Sequence, residues 1–167
     1  MNGSPKKILV ATDGSPDSGR AALRAVDLAH AFDSELHVVH VVPLSPPYFV
    51  VGQEDVEGPS LYEEDTQRAR ELLDEQVRRI EEAGGEVTEA HLRTGEPDAE
   101  VISLAEEIGA DLIVVGARGL NPLKRLLVGS VSSSIVTHAH CPVLVSREEE
   151  QSDPKIWYTR KQERSAS

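Results

Sequence analysis

Two kinds of hydrophobic pattern alternate along this chain, and that alternation restricts the fold more than any other feature. Short apolar runs at residues 8–11, 36–42, 112–115 and 142–145 are separated by segments whose apolar residues recur at helical spacing. A further segment, 87–92, alternates apolar and polar residues as a half-exposed strand does. The reading is β-α-β-α-β-α-β-α-β, which implies a parallel sheet with helices on both faces. Strands buried on both sides lose their alternation, so the first and fourth belong in the middle and the third at an edge. In such sheets ligands bind beyond the carboxyl ends of the strands where the winding reverses. The loops after the first and fourth strands, 11–15 and 116–119, are therefore expected to share one crevice.

Local signals mark the boundaries. Ser15-Pro16 is an N-cap followed by proline at the first helical position, ahead of a stripe formed by Ala22, Leu23, Ala25, Val26, Ala29 and Phe32. Residues 43–59 form a long connection rich in proline, glycine and acids, with Tyr48 and Phe49 expected to pack within it. Ser60-x-x-Glu63 has the form of a capping box. It precedes an amphipathic helix carrying Ala69, Leu72, Leu73, Val77, Ile80 and Ala83, ended by Gly84-Gly85. Pro97 opens a third helix with Val101, Ile102, Leu104, Ala105 and Ile108, closed by Gly109, and a fourth runs from about 130 to 139. Residues 1–147 thus read as one domain, and 148–167, without apolar periodicity, as a tail expected to be mobile.

Composition excludes several function classes. With 17 basic and 29 acidic residues the net charge is −12, which would repel a nucleic-acid backbone. The single cysteine, Cys141, allows neither an internal disulfide nor a multi-cysteine zinc site. The apolar run at 8–11 is too short for a signal-peptide core or a membrane span. A soluble cytoplasmic protein without membrane or nucleic-acid partners is expected.

The chemistry concentrates after the fourth strand, in GARGLNPLKRLLVGSVSSS. Gly116 and Gly119 permit close backbone approach and positive φ. Gly129-Ser130-Val131-Ser132 opens a helix whose unpaired N–H groups suit an anion, with the Ser130 and Ser132 hydroxyls as added donors. From Gly116 to Arg147 there are four basic residues and no Asp or Glu, where the chain's average acid content would place five or six. Arg118, Lys124 and Arg125 are the cations available to a polyanion. Glycine spacing alone is equally compatible with turns and packing room. The acid gap and the switch-point location favour phosphate. Neither G-x-x-x-x-G-K-[ST] nor a dinucleotide G-x-G-x-x-G is present. Asp13 sits at the same switch point, and with Ser15 serving as cap its carboxylate reads as free for function.

Together KILVATDGS, ELHVVHVV, the Gly-2x-Gly-9x-Gly-Ser motif and HAHCPVLVSR resemble the universal stress protein family, specifically its ATP-binding subgroup, over residues 6–147. The resemblance implies a single doubly wound five-stranded parallel sheet of order 3-2-1-4-5 that binds ATP with Mg²⁺. On the family pattern, Asp13 lies near the ribose and the metal-bound phosphates, with Ala11 and Thr12 lining the same edge. Val41 offers its backbone to the adenine. Gly116, Gly119, Gly129, Ser130 and Val131 match the family's phosphate and ribose cradle, with Ser132 as a further candidate, and Arg118, from its charge and place between the glycines, joins the binding residues. The family also commonly dimerises through the last strand. Val143, Leu144 and Val145 form an uncharged edge here, so a homodimer is expected.

The reading is of an ATP-binding regulatory protein of the stress response. The rivals are a slow ATPase or autokinase, with Asp13 holding the metal and Arg118 or Lys124 on the transferring phosphoryl group, and a dimeric interaction module that needs no nucleotide. No positioned general base stands out, so no catalytic residue is assigned. His138, His140 and Cys141 are close in sequence but lack a second ligand cluster and read as ordinary surface and core residues. His37 and His40 fall on opposite faces of one strand, under helices.

Overall fold

The structure, a computed structural model, describes residues 3–44, 61–118 and 128–147. The elements run β1 (Lys7–Ala11), α1 (Pro16–Phe32), β2 (Glu35–Val42), α2 (Leu61–Glu82), β3 (Val87–Thr94), α3 (Pro97–Ile108), β4 (Leu112–Gly116), α4 (Ser130–His138) and β5 (Val143–Ser146). All strand pairs are parallel and the order is β3-β2-β1-β4-β5, as the alternation and the family resemblance imply. Ser60, Tyr48, Phe49 and the tail lie outside the described residues.

Strand parity divides the core into two layers. Ile8, Val10, Leu36, Val38 and Val114 pack against Ala21, Ala22, Ala25 and Val26 of α1 and Leu73 and Ile80 of α2. Leu9, Val39, Val41, Ile113 and Val115 face Val101, Leu104 and Ala105 of α3 and Ile135 of α4. β1 and β4 contribute to both layers, which is why their sequences are unbroken apolar runs.

The helix ends follow local chemistry. Ser15 caps α1, its hydroxyl accepting from the Ser18 amide at 3.2 Å, with Pro16 in the first turn. Gly109 closes α3 in the left-handed region.

The expected α1 stripe is narrower than its sequence suggests. Leu23 is 51% exposed and Phe32 39%. The alanines bring the helix close to the sheet, while Leu23 is displaced toward Ser146 and Arg147 at the β5 edge, where no further strand covers it. Phe32 is the last helical residue before the left-handed Asp33. In α2, Ala83 falls past the helix end and is exposed. Its inner stripe instead includes a buried amide, Gln76.

β3 carries a register irregularity. Leu36 pairs with Val87, but the next residue, His37, pairs with Glu89. Skipping Thr88 reverses the side-chain parity of the rest of the strand, so Glu89 and His91 come to the α3 face while Leu92 joins the α1/α2 layer.

Candidate nucleotide cleft

Where the strand order reverses between β1 and β4, their carboxyl ends diverge and leave a cleft of about 710 Å³. That lies within the usual range for small-molecule sites. Its floor is apolar, with Val39, Val41, Val101, Val115 and Ile135.

The β1 side is rigidly built. Thr12 is buried, its hydroxyl 3.3 Å from that of Ser18 and donating to Gln76 Oε1 at 3.3 Å. Gly14 turns the chain into α1 with φ +78, a conformation that favours glycine. Asp13 lines the cleft, but its carboxylate is not wholly free: Oδ1 accepts from the Ser15 amide at 2.9 Å. Ser15 caps the helix with its side chain and still needs a partner for its own N–H. Ala11, half-buried, ends the strand beside it.

β2 extends past β1 and offers backbone to the cleft. The Val39 carbonyl accepts from the Thr12 amide on the β1 side, and the Val42 carbonyl accepts from Gly95 on the β3 side. Alternation therefore turns the Val41 N–H and C=O toward the β1 side, beyond the last β1 residue, Ala11. This is an adjacent donor and acceptor over an apolar floor.

On the opposite side, Gly129 is the N-cap of α4, without a side-chain cap, and the first turn has no acid. The first intrahelical bond runs from the Ser133 amide to the Gly129 carbonyl. The amides of Ser130, Val131 and Ser132 precede it and so have no partner within the helix. A Cβ on Gly129 would sit 3.4 Å from the Ala117 carbonyl, an ordinary contact, so glycine here preserves open space over the helix end. These features fit a phosphate group.

Three expected roles change. Gly116 has no positive φ; an added Cβ would lie 2.7 Å from the backbone of Asp17 and Ser18, so this glycine makes room for the start of α1. The Ser132 hydroxyl is already used, donating to the Gly116 carbonyl at 2.6 Å, where it ties α4 to β4. Arg118 reaches the cleft already engaged by the buried Asp17, which accepts from its backbone N–H at 3.1 Å and its Nε at 3.4 Å.

Ala11, Thr12, Asp13, Val41, Gly116, Arg118, Gly129, Ser130, Val131 and Ser132 all line this one cleft. Gly119, Lys124 and Arg125 lie outside the described residues. Sequence reasoning missed the wall formed by Asp65, Arg68, Ala69 and Leu72 of α2, and it missed His40, whose Nδ1 is 2.8 Å from the Thr12 carbonyl. His40 had one legible signal: it lies near the carboxyl end of a strand beside the switch point.

The HAHC segment does not converge. His138 Nδ1 is 2.9 Å from the Ser134 carbonyl of its own helix, and His140 faces Glu106 of α3 at 4.0 Å. Burial pushes the Cys141 thiol up, away from the reactive thiolate.

Residues 5–147 match the model of the universal stress protein family. A universal stress protein of Methanocaldococcus jannaschii is 38% identical over 141 residues, covering 84% of this chain and 81% of the relative. Among solved structures, the universal stress protein of Archaeoglobus fulgidus in complex with dAMP superposes with a TM-score of 0.63 at 28% identity, over 84% of this chain and 96% of that one. A universal stress protein in complex with cAMP gives 0.62 at 28% identity, over 86% and 97%. The chain belongs to the universal stress protein family. No described helix is long and apolar enough to cross a membrane.

Proposed function

We propose that this universal stress protein is a stress-related regulator that binds ATP with Mg²⁺ in the cleft between β1 and β4. The observation that carries the reading is the set of three consecutive amides, on Ser130, Val131 and Ser132, at an uncapped, acid-free helix end opposite Asp13. Two structural neighbours are described in complex with the adenine nucleotides dAMP and cAMP, which supports the adenine half of the proposal.

In this reading the Val41 backbone pairs with the adenine edge above the valine floor. The α4 amides, with the Ser130 hydroxyl, hold the phosphates, and the Asp13 oxygen not held by Ser15 faces the cation. Mg²⁺ would neutralise phosphate charge. A helix N-terminus supplies roughly 0.3–2 kcal/mol, against about −8 kcal/mol for micromolar affinity. Adenine burial and charge-assisted hydrogen bonds must supply the remainder. The protein acts as a homodimer joined through Val143, Leu144 and Val145, and the nucleotide is a sensed ligand.

The test is to denature the purified protein, identify any released nucleotide by chromatography, and titrate Mg-ATP into the emptied protein. Saturable binding lost in Gly129→Val and weakened in Asp13→Ala is the expected result. Absence of both co-purifying nucleotide and saturable binding would overturn the reading. Phosphate release during the same titrations decides between a sensed ligand and the slow-ATPase alternative.

A further inference from the structure

At the opposite end of the sheet from the cleft, on its α3 face, the β3 irregularity assembles a second group of side chains. His37 is 4% exposed near the start of β2, and its Nδ1 lies 3.1 Å from His91 Nε2 on β3. The ring centroids are 5.4 Å apart and the planes 17° apart. The N···N distance plus the two ring radii accounts for that whole separation, so the imidazoles meet edge to edge with their nitrogens facing. Glu89 Oε2 lies 3.8 Å from the same His91 nitrogen. One ligand atom from each of the three residues falls within 4.8 Å of the others.

We propose that His37, Glu89 and His91 bind one transition-metal ion of the Zn²⁺ class. A tetrahedral zinc ion with bonds of about 2.0–2.1 Å sets its ligand atoms about 3.3–3.5 Å apart, between the 3.1 and 3.8 Å of two of the pairs here, the third lying within 4.8 Å; the two rings turn from their head-on alignment to aim both lone pairs at the ion. Two imidazoles and one carboxylate form a donor set that suits zinc over Mg²⁺ or Ca²⁺. The fourth position is left to water.

Two further observations point the same way. His37 Nε2 is buried without a hydrogen-bond partner, and the nearest carboxylate, Glu35 Oε2, is 3.5 Å away. Keeping the proton on Nε2, on the Glu35 side, leaves Nδ1 as the bare nitrogen toward His91. The register skip at Thr88 is itself the device that turns Glu89 and His91 to the His37 face; without it they would point to the other. On binding, the ion takes the place of the proton shared by the two rings, and His91 stays neutral by carrying its proton on Nδ1 instead of Nε2. The bound ion pins the edge strand β3 to β2. Val41, in the nucleotide cleft, is four residues farther along β2, roughly 13 Å at 3.3 Å per residue, so the two sites are separate.

The experiment is calorimetric titration of Zn²⁺ into the chelator-treated full chain without nucleotide, with Co²⁺ absorption as a second readout. Wild type is expected to bind with a visible tetrahedral Co²⁺ spectrum and a zinc-dependent rise in Tm. His91→Ala should lose the spectrum and the Tm shift, and the solvent-facing Glu89→Gln should weaken binding at least tenfold. His140→Ala should change neither. No zinc binding by wild type, or binding unchanged in both His91→Ala and Glu89→Gln, would overturn the proposal and leave the histidine pair as a structural hydrogen bond. Because Glu89 is exposed, its variant tests the site even if His91→Ala fails to fold.

Discussion

The carboxylate of Asp17 grips Arg118 at two points, accepting from its main-chain N–H at 3.1 Å and its Nε at 3.4 Å across 101 residues of sequence. Asp17 is 5% exposed and also pairs with Arg20. This fastens the start of α1 to the loop after β4, the two chain segments that meet at the switch point. Asp17→Ala, which strands both guanidinium groups, is expected to cost about 1–3 kcal/mol, read as a lower urea midpoint. Arg118→Ala should cost less, since Asp17 keeps Arg20 and the residue-118 amide. Its effect on ATP affinity should stay within a few-fold, because the guanidinium is already held by Asp17. A loss of a hundredfold or more would show that Arg118 leaves Asp17 to bind phosphate.

Gly116 and Gly129 belong to one motif but should fail in different ways. A methyl group at 116 would press on the backbone of Asp17 and Ser18 at 2.7 Å. Gly116→Ala is expected to destabilise by about 1–3 kcal/mol, measured by thermal melting. Gly129→Ala meets the Ala117 carbonyl at 3.4 Å and the Arg118 Cα at 3.8 Å, both ordinary contacts, and should melt near wild type. Gly129→Val projects further over the α4 amides and should remove ATP binding while the protein stays folded. A folded Gly129→Val that binds ATP like wild type would move the phosphates elsewhere.

Asp98 connects the two helices on the cleft's far side. The Ser134 hydroxyl of α4 donates to its carboxylate, and this bond is the main cause holding its pKa below the ordinary value, against a smaller opposing effect of burial. A carboxyl pKa lowered by folding contributes stability that is fully present above the unfolded value, about 3.9. That contribution is lost as pH falls through the lower folded value, because the unfolded chain then binds the proton first. Asp98→Asn is expected to reduce stability by about 1 kcal/mol at neutral pH, and the gap from wild type should close below about pH 4. A gap independent of pH in urea titrations would mean that the charge is not what the bond depends on.

The outer edge of β5 can be tested without disturbing its inner one. The Pro142 carbonyl accepts from Ile113 and the Ser146 carbonyl from Ala117, so even-numbered residues face β4. The polar groups of Val143 and Val145 accordingly point outward. Val145→Pro removes one outward N–H and leaves the β4 ladder intact. It should convert the proposed dimer to monomer in sedimentation equilibrium, with far-UV circular dichroism unchanged. A dimer that persists would place the interface elsewhere, for which the exposed Leu23, Val131 and Val136 are the next surfaces to test.

The strands, their order of burial and the crevice could be read from the chain because each rests on local rules. Unbroken valine and isoleucine runs mark β1 and β4 as central, Ser15-Pro16 marks the start of α1, and the acid-free stretch after Gly116 marks one side of the cleft. Such signals are carried by neighbours in sequence. Tertiary packing decided the rest, since it depends on which residues meet across long separations. Gly116 serves α1 packing because Asp17 and Ser18 arrive there from the other end of the chain. Gln76 interrupts an apolar stripe because the Thr12 hydroxyl, 64 residues away, needs an acceptor. One skipped residue at Thr88 reversed the faces of β3 and brought His91 to His37, and nothing in the pattern of 87–92 announces it. Periodicity reports which side of an element is apolar, whereas pairing register, which only the partner strand can set, decides which polar groups share a site.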